Sequence, residues 1–152
     1  MGNLGCGCPG SMARVIERDE TKQVAVTGDT PSELRQWPVQ LHLVPPMAPY
    51  FKNADILISA DCVAFAMGSF HQDLLKGKAI AIACPKLDDT GKYAEKLASI
   101  FSVNEIKSVT VAIMEVPCCR GLDVMVRQAL TASGKEIPLE TVVIGVNGER
   151  RS

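Results

Sequence analysis

Ser108–Leu122 reads SVTVAIMEVPCCRGL, and its reading decides the fold. A run of β-branched and apolar residues with no polar face is the pattern of a strand buried on both sides of a parallel sheet. The run ends at Glu115, passes through Val116-Pro117 and delivers two adjacent cysteines, Cys118 and Cys119, to a turn before Arg120-Gly121-Leu122. The same grammar occurs twice upstream. Asp55–Asp61 (DILISAD) stops at Cys62, and Lys78–Ala83 (KAIAIA) stops at Cys84, which is followed by Pro85.

Between these runs the periodicity changes from strand to helix. After Cys62, the residues Val63, Ala66, Met67, Phe70 and Leu74 fall on one helical face, and Gly77 closes the segment. Asp88 and Asp89 stand where helix caps belong, ahead of Tyr93, Leu97, Ile100 and Phe101. Leu122, Met125, Val126, Ala129 and Leu130 form a third stripe, with Gly134 as its C-terminal stop, and Thr141–Val146 is the last strand. Nearer the N-terminus, Ser11–Glu20 has the spacing of a short helix and Thr21–Trp37 that of a surface connection. Val39–Val44 alternates as a strand stopped by Pro45-Pro46, with His42 on its polar face. Alternating strands and helices predict a single α/β domain over residues 1–152, a three-layer fold with a mostly parallel sheet and helices on both faces. Residues 1–11 form a Gly/Cys-rich loop and 147–152 a polar tail. In such a sheet, ligands sit outside the carboxyl ends of the strands, the edge that carries Cys62, Cys84, Cys118 and Cys119.

Composition removes several classes of function. The chain has 152 residues, 47% hydrophobic and 22% charged, with a net charge of −1. That is a globular profile without the basic field that attracts nucleic acid. One Trp, two Tyr and four Phe leave little for base stacking. No apolar run approaches the roughly 20 residues of a membrane span, and residues 1–10 lack the pattern of a secretory signal. A cytoplasmic setting is the expectation. There, six cysteines point to ligands or redox groups rather than disulfides.

Soft thiolates select iron–sulfur clusters, zinc or cuprous copper. The C-x-x-C knuckle of zinc fingers and the C-x-x-C-x-x-C run of ferredoxins are both absent. Ligands gathered from separate loops beside Gly and Pro leave room for more than one ion, which favours a cluster. Cys8, brought over by the loop GCGCPG, joins Cys62, Cys84, Cys118 and Cys119 as a candidate ligand. Cys6 and His71 are weaker candidates, His71 because a helix from Val63 would carry it roughly 13 Å from Cys62. Two readings compete with a 4Fe-4S cluster. One is a thiol enzyme in which Cys118 or Cys119 attacks a disulfide, persulfide or electrophile, with Arg120 and a helix dipole holding the thiolate. The other is a zinc-binding interaction module. No G-x-S-x-G elbow or Walker loop occurs; Gly5–Gly10 (GCGCPG) has the G-x-G-x-x-G spacing, but it lies before any clear strand, so a phosphate cradle is not expected there.

GCPGS (Gly7–Ser11), WPVQLHLVPPMAPYFKNADILISADC (Trp37–Cys62), Phe70-His71, CPKLDD (Cys84–Asp89) and MEVPCCRGL (Met114–Leu122) together resemble a family of iron–sulfur cluster-binding proteins of anaerobic microbes, many of which carry a 4Fe-4S ferredoxin module. That module has no counterpart here. The resemblance therefore implies cluster binding and redox use, with electrons exchanged with a separate protein such as a ferredoxin or oxidoreductase. A homodimer is compatible with it; nucleic acid and membrane partners are not expected. More distantly, the tandem pair is similar to cluster-binding subunits of hydrogenases and respiratory NADH dehydrogenase, where a tandem Cys pair ligates a 4Fe-4S cluster. Joint use of Cys118 and Cys119 is implied by that likeness alone.

Overall fold

The computed structural model describes residues 14–19, 21 and 28–152. Four strands, β1 (Asp55–Ala60), β2 (Ala79–Ala83), β3 (Ser108–Met114) and β4 (Leu139–Ile144), form one sheet in the order β2-β1-β3-β4. Every strand pair is parallel. The reason lies in composition: Ile56, Leu57, Ile58, Val109, Val111 and Ala112 are buried, and strands apolar on both faces need cover on both.

That cover comes from α2 (Tyr93–Val103) and α3 (Arg120–Ser133), which pack against each other, and from the segment between β1 and β2. The chain moves one way from β1 to β2 and the other way from β2 to β3 and β3 to β4. Right-handed crossovers therefore put the first connection on one face and α2 and α3 on the other. The predicted stripes are the buried ones: Tyr93, Leu97, Ile100 and Phe101 on α2, and Leu122, Val126 and Ala129 on α3. Gly134 ends α3 at φ +72°, a left-handed conformation that costs glycine little.

Four local expectations are corrected. The helix after Cys62 is only one turn, α1 (Val63–Ala66), and a π-helical turn follows at His71–Leu75. Gly68-Ser69 interrupts it, because glycine weakens a helix and the Ser69 hydroxyl donates to Asp73 Oδ2 at 2.5 Å. The inward stripe survives the break, with Val63, Met67, Phe70 and Leu74 all buried. Val39–Val44 is not a strand. Gln40 makes one parallel bridge with Ile82, then the chain turns, with Leu43 N and Val44 N both donating to Gln40 O. The buried pair is Leu41 and Val44, a spacing of three, while Leu43 is 65% exposed. A run this short satisfies either period. Residues 14–19 are not helical. Finally, β4 spans Leu139–Ile144 rather than Thr141–Val146, and the tail folds back on it, with Arg151 N donating to Val143 O at 2.7 Å and an antiparallel bridge between Ile144 and Arg150.

Among the described residues, no helix is long and apolar enough to cross a membrane.

Candidate functional site: a thiol-lined pocket at the sheet's carboxyl edge

Connections leave β1 and β3 in opposite directions, so the topological switch point lies between these two central strands. A crevice opens there outside their carboxyl ends. Cys62 stands two residues beyond β1, Cys84 one beyond β2, and Cys118 four beyond β3. All three, with Cys119, line a single pocket of about 520 Å³. Its other walls are largely apolar: Ala60, Ala66, Met114, Val116 and Val146, with Phe65 and Leu87 at the rim, 94% and 83% exposed.

The loops carrying the thiols are held together by backbone and packing rather than by the thiols themselves. Asp61 N donates to Ala83 O at 3.1 Å, tying the end of β1 to the end of β2. A Cβ placed on Gly121 would lie 3.5 Å from Pro85 Cβ, so the loop after Cys84 packs against the start of α3. Pro117 opens a 3₁₀ turn (Pro117–Cys119) that leads straight into α3, and Cys119 N donates to Val116 O.

Asp88 closes the Cys84 loop. Its Oδ2 accepts from Cys84 N at 2.8 Å and from the Tyr93 hydroxyl. Burial alone would raise this carboxyl, but those two hydrogen bonds and the nearby His42 outweigh it and hold the group below its usual range. Tyr93 is raised in turn by burial and by its bond to Asp88, and the His42 ring leans on it at 4.4 Å. Only Asp89 is the cap that both aspartates were expected to be, accepting from Gly91 N. Asp61, on the pocket wall, behaves in the opposite way. Burial, and then the charge of Asp88, push its carboxyl upward, and its Oδ1 is buried without a hydrogen-bond partner.

The thiols are not uniform. Cys62 is exposed, Cys84 and Cys118 half-buried, and Cys119 buried. Burial pushes Cys119 up to about 11, with the neighbouring Cys118 adding to the rise and a hydrogen bond with the Met114 backbone opposing it. Cys62 is raised by burial, by Cys84, by Asp61 and by Cys118. The expectation that a helix start would favour thiolate is therefore corrected for these two. Burial, the leading cause at both, opposes the thiolate, and α1, with four residues, offers Cys62 almost no dipole.

Of the remaining candidates, Cys6 and Cys8 lie outside the described residues. His71 lies elsewhere: its Nδ1 accepts from Glu33 N at 3.0 Å beside a smaller pocket lined by Thr30, Ser32 and Gln72. His42 is exposed in a turn, away from the thiols' lining. Asp61 is the residue that sequence reasoning passed over. The only signal was its place between an apolar strand and a cysteine, where a charged residue must sit at the strand's end. Among the described residues, no three His, Cys, Asp or Glu side chains meet at single-ion distances, so the thiols are spread around a wall rather than gathered on a point.

A Rossmann-like domain family matches residues 48–150, and the chain belongs to it. An uncharacterized protein of Archaeoglobus fulgidus is 37% identical over 116 residues, 76% of this chain and 81% of that protein. No solved structure matches the chain.

Proposed function

We propose that this member of the Rossmann-like domain family holds an iron–sulfur cluster of the 4Fe-4S type at the switch point of its sheet and exchanges electrons with a redox protein, or senses redox state, in a cytoplasmic setting. One observation carries the reading: three separate strand ends deliver Cys62, Cys84, Cys118 and Cys119 to the same apolar-walled pocket. The first βα turn of the fold, Ala60-Asp61-Cys62-Val63, has none of the glycines that let a dinucleotide's pyrophosphate approach the backbone. That turn carries the thiol of Cys62 instead.

The donor set fits the group. Thiolate sulfur is the ligand that iron–sulfur clusters use, and a pocket of about 520 Å³ with donors distributed around its wall suits a body larger than one ion. Cys62, Cys84 and Cys118 would hold it, with Cys8 or Cys119 as further thiols. A bound cluster supplies one-electron chemistry. The chain's own part is to orient the thiols, exclude water with Met114, Val116 and Val146, and release protons from the thiols that become ligands. Phe65 and Leu87 give the rim an apolar face of the kind a ferredoxin or oxidoreductase would cover. The thiol-enzyme reading draws less support at Cys119, which burial holds toward the neutral thiol.

Anaerobic reconstitution with ferrous iron and sulfide tests this. The expected result is a brown protein containing iron and acid-labile sulfide in equal amounts. Cys62→Ala, Cys84→Ala or Cys118→Ala each lower that content, with the far-ultraviolet circular dichroism unchanged. A colourless protein that takes up one zinc, or no metal at all, overturns the reading.

A further inference from the structure

We infer that Asp61 belongs to the binding set of the thiol pocket as its oxygen donor, completing the coordination that Cys62, Cys84 and Cys118 begin. This rests on the cluster reading above and adds a ligand of a different chemical class.

Asp61 is the first residue beyond β1, at the switch point itself, and it lines the pocket beside Cys62. Its backbone is fixed between two strand ends by the bond from Asp61 N to Ala83 O. Its Oδ1 is shut off from solvent, yet no group donates to it. A buried carboxylate oxygen without a partner is costly and calls for an explanation, of which a bound ion is one. Slack in the loop does not explain the gap, because the neighbouring Asp88 is satisfied twice over, by Cys84 N and the Tyr93 hydroxyl. The Tyr50 hydroxyl is the other unsatisfied buried side-chain atom among the described residues, and it does not line this pocket.

The number of accessible thiols leaves room for the same residue. Cys119 lines the pocket too, but at 7% exposed it is the least accessible of the four described thiols. Among the described residues, Cys62, Cys84 and Cys118 are therefore the more accessible thiols, which leaves one position on a four-iron cluster to Asp61, Cys119 or Cys8. A carboxylate is a hard, acceptor-only ligand that binds iron less tightly than thiolate does. An iron held by Asp61 is thus the corner most readily lost or opened to a small exogenous ligand.

The test compares full-length wild type with Asp61→Ala, Asp61→Asn, Asp61→Cys, Cys119→Ser and Cys8→Ser after identical anaerobic reconstitution. Readouts are iron and sulfide per chain and the electron paramagnetic resonance of the oxidised and reduced forms, with circular dichroism to confirm folding. Asp61→Ala and Asp61→Asn are expected to lose about one of four irons and give the oxidised-state signal of a three-iron cluster. Asp61→Cys is expected to restore the fourth iron with an altered reduced-state signal, and Cys119→Ser to keep wild-type content. Full iron content and an unchanged signal in Asp61→Asn overturn the assignment, as does loss of the fourth iron in Cys8→Ser or Cys119→Ser instead. A wild type that binds no iron and sulfide overturns the cluster reading as well, so the two failures are distinguishable.

Discussion

Cys119 shows how placement sets the chemistry of a side chain. Its thiol is held near 11 against an ordinary value of 9.0, chiefly because burial penalises the thiolate. Between those values an unfolded chain has already ionised while the folded chain has not, so the unfolded state binds fewer protons and stability falls as pH rises. The contribution is complete below about pH 9 and is lost through about pH 11, amounting to about 3 kcal/mol. Chemical denaturation across that window should show the decline in the metal-free protein, and Cys119→Ala should flatten it. In the same protein, iodoacetamide should spare Cys119 at neutral pH while the unfolded chain reacts at every cysteine. Tyr93 offers a second measurement. Tyr93→Phe removes one of the two donors to Asp88 Oδ2 without opening a cavity, and the expected cost is about 1–2 kcal/mol in thermal or urea unfolding.

At the scale of elements, what the sequence made legible depended on how many residues voted. The central strands and the α2 and α3 stripes were readable because long apolar runs and repeated helical spacing leave one solution. The cysteines could be assigned to the sheet's carboxyl edge because each follows its strand within one to five residues. Val39–Val44 was not readable, since a short run with Leu41 and Val44 inward looks the same as an alternating one. Nor was the tail after Ile144, whose hydrophilic residues gave no hint of contacts made through the backbone. Gly145 N donates to Glu149 O, and Glu115 binds both Val146 N and Arg151. Gly148 explains the sharpness of that return. Its φ is +97°, and an added Cβ would stand 2.4 Å from Ala66 O. Gly148→Ala should therefore cost about 1–3 kcal/mol and shift the tail away from α1, measurable as a lower melting temperature. Gly134→Ala, strained in φ but with open space around it, should cost less, about 1 kcal/mol. Asp61 was legible only as punctuation; its missing partner is a three-dimensional fact.

The whole molecule is a sheet with its chemistry concentrated at one end. Phe101 and Leu122 are fully buried on the helices that cover one face. Replacing either by alanine should cost about 2–5 kcal/mol and loosen the sheet as a unit rather than the pocket alone. Native-state hydrogen exchange should rank the strands by position: β1 and β3, flanked on both sides, should open last, and β2 and β4 sooner. If the pocket binds a cluster, loading should slow exchange most in the residues that follow β1, β2 and β3, where the thiols are anchored.

The short segments beside the two outer strands bear on colloidal behaviour. A bare parallel edge is a template on which a second chain can pair. Here neither margin is bare along its length. The amide and carbonyl of Ile80 on β2 are taken by the side chain of Gln36, and those of Ile82 by Leu41 and Val39. On β4, Val143 is met by Arg151 and Ser152. These stretches act as gatekeepers against chain-to-chain adhesion. Deleting residues 147–152 should therefore raise light scattering at high concentration well before it lowers helical content, and Gln36→Ala should do so more mildly at the opposite margin.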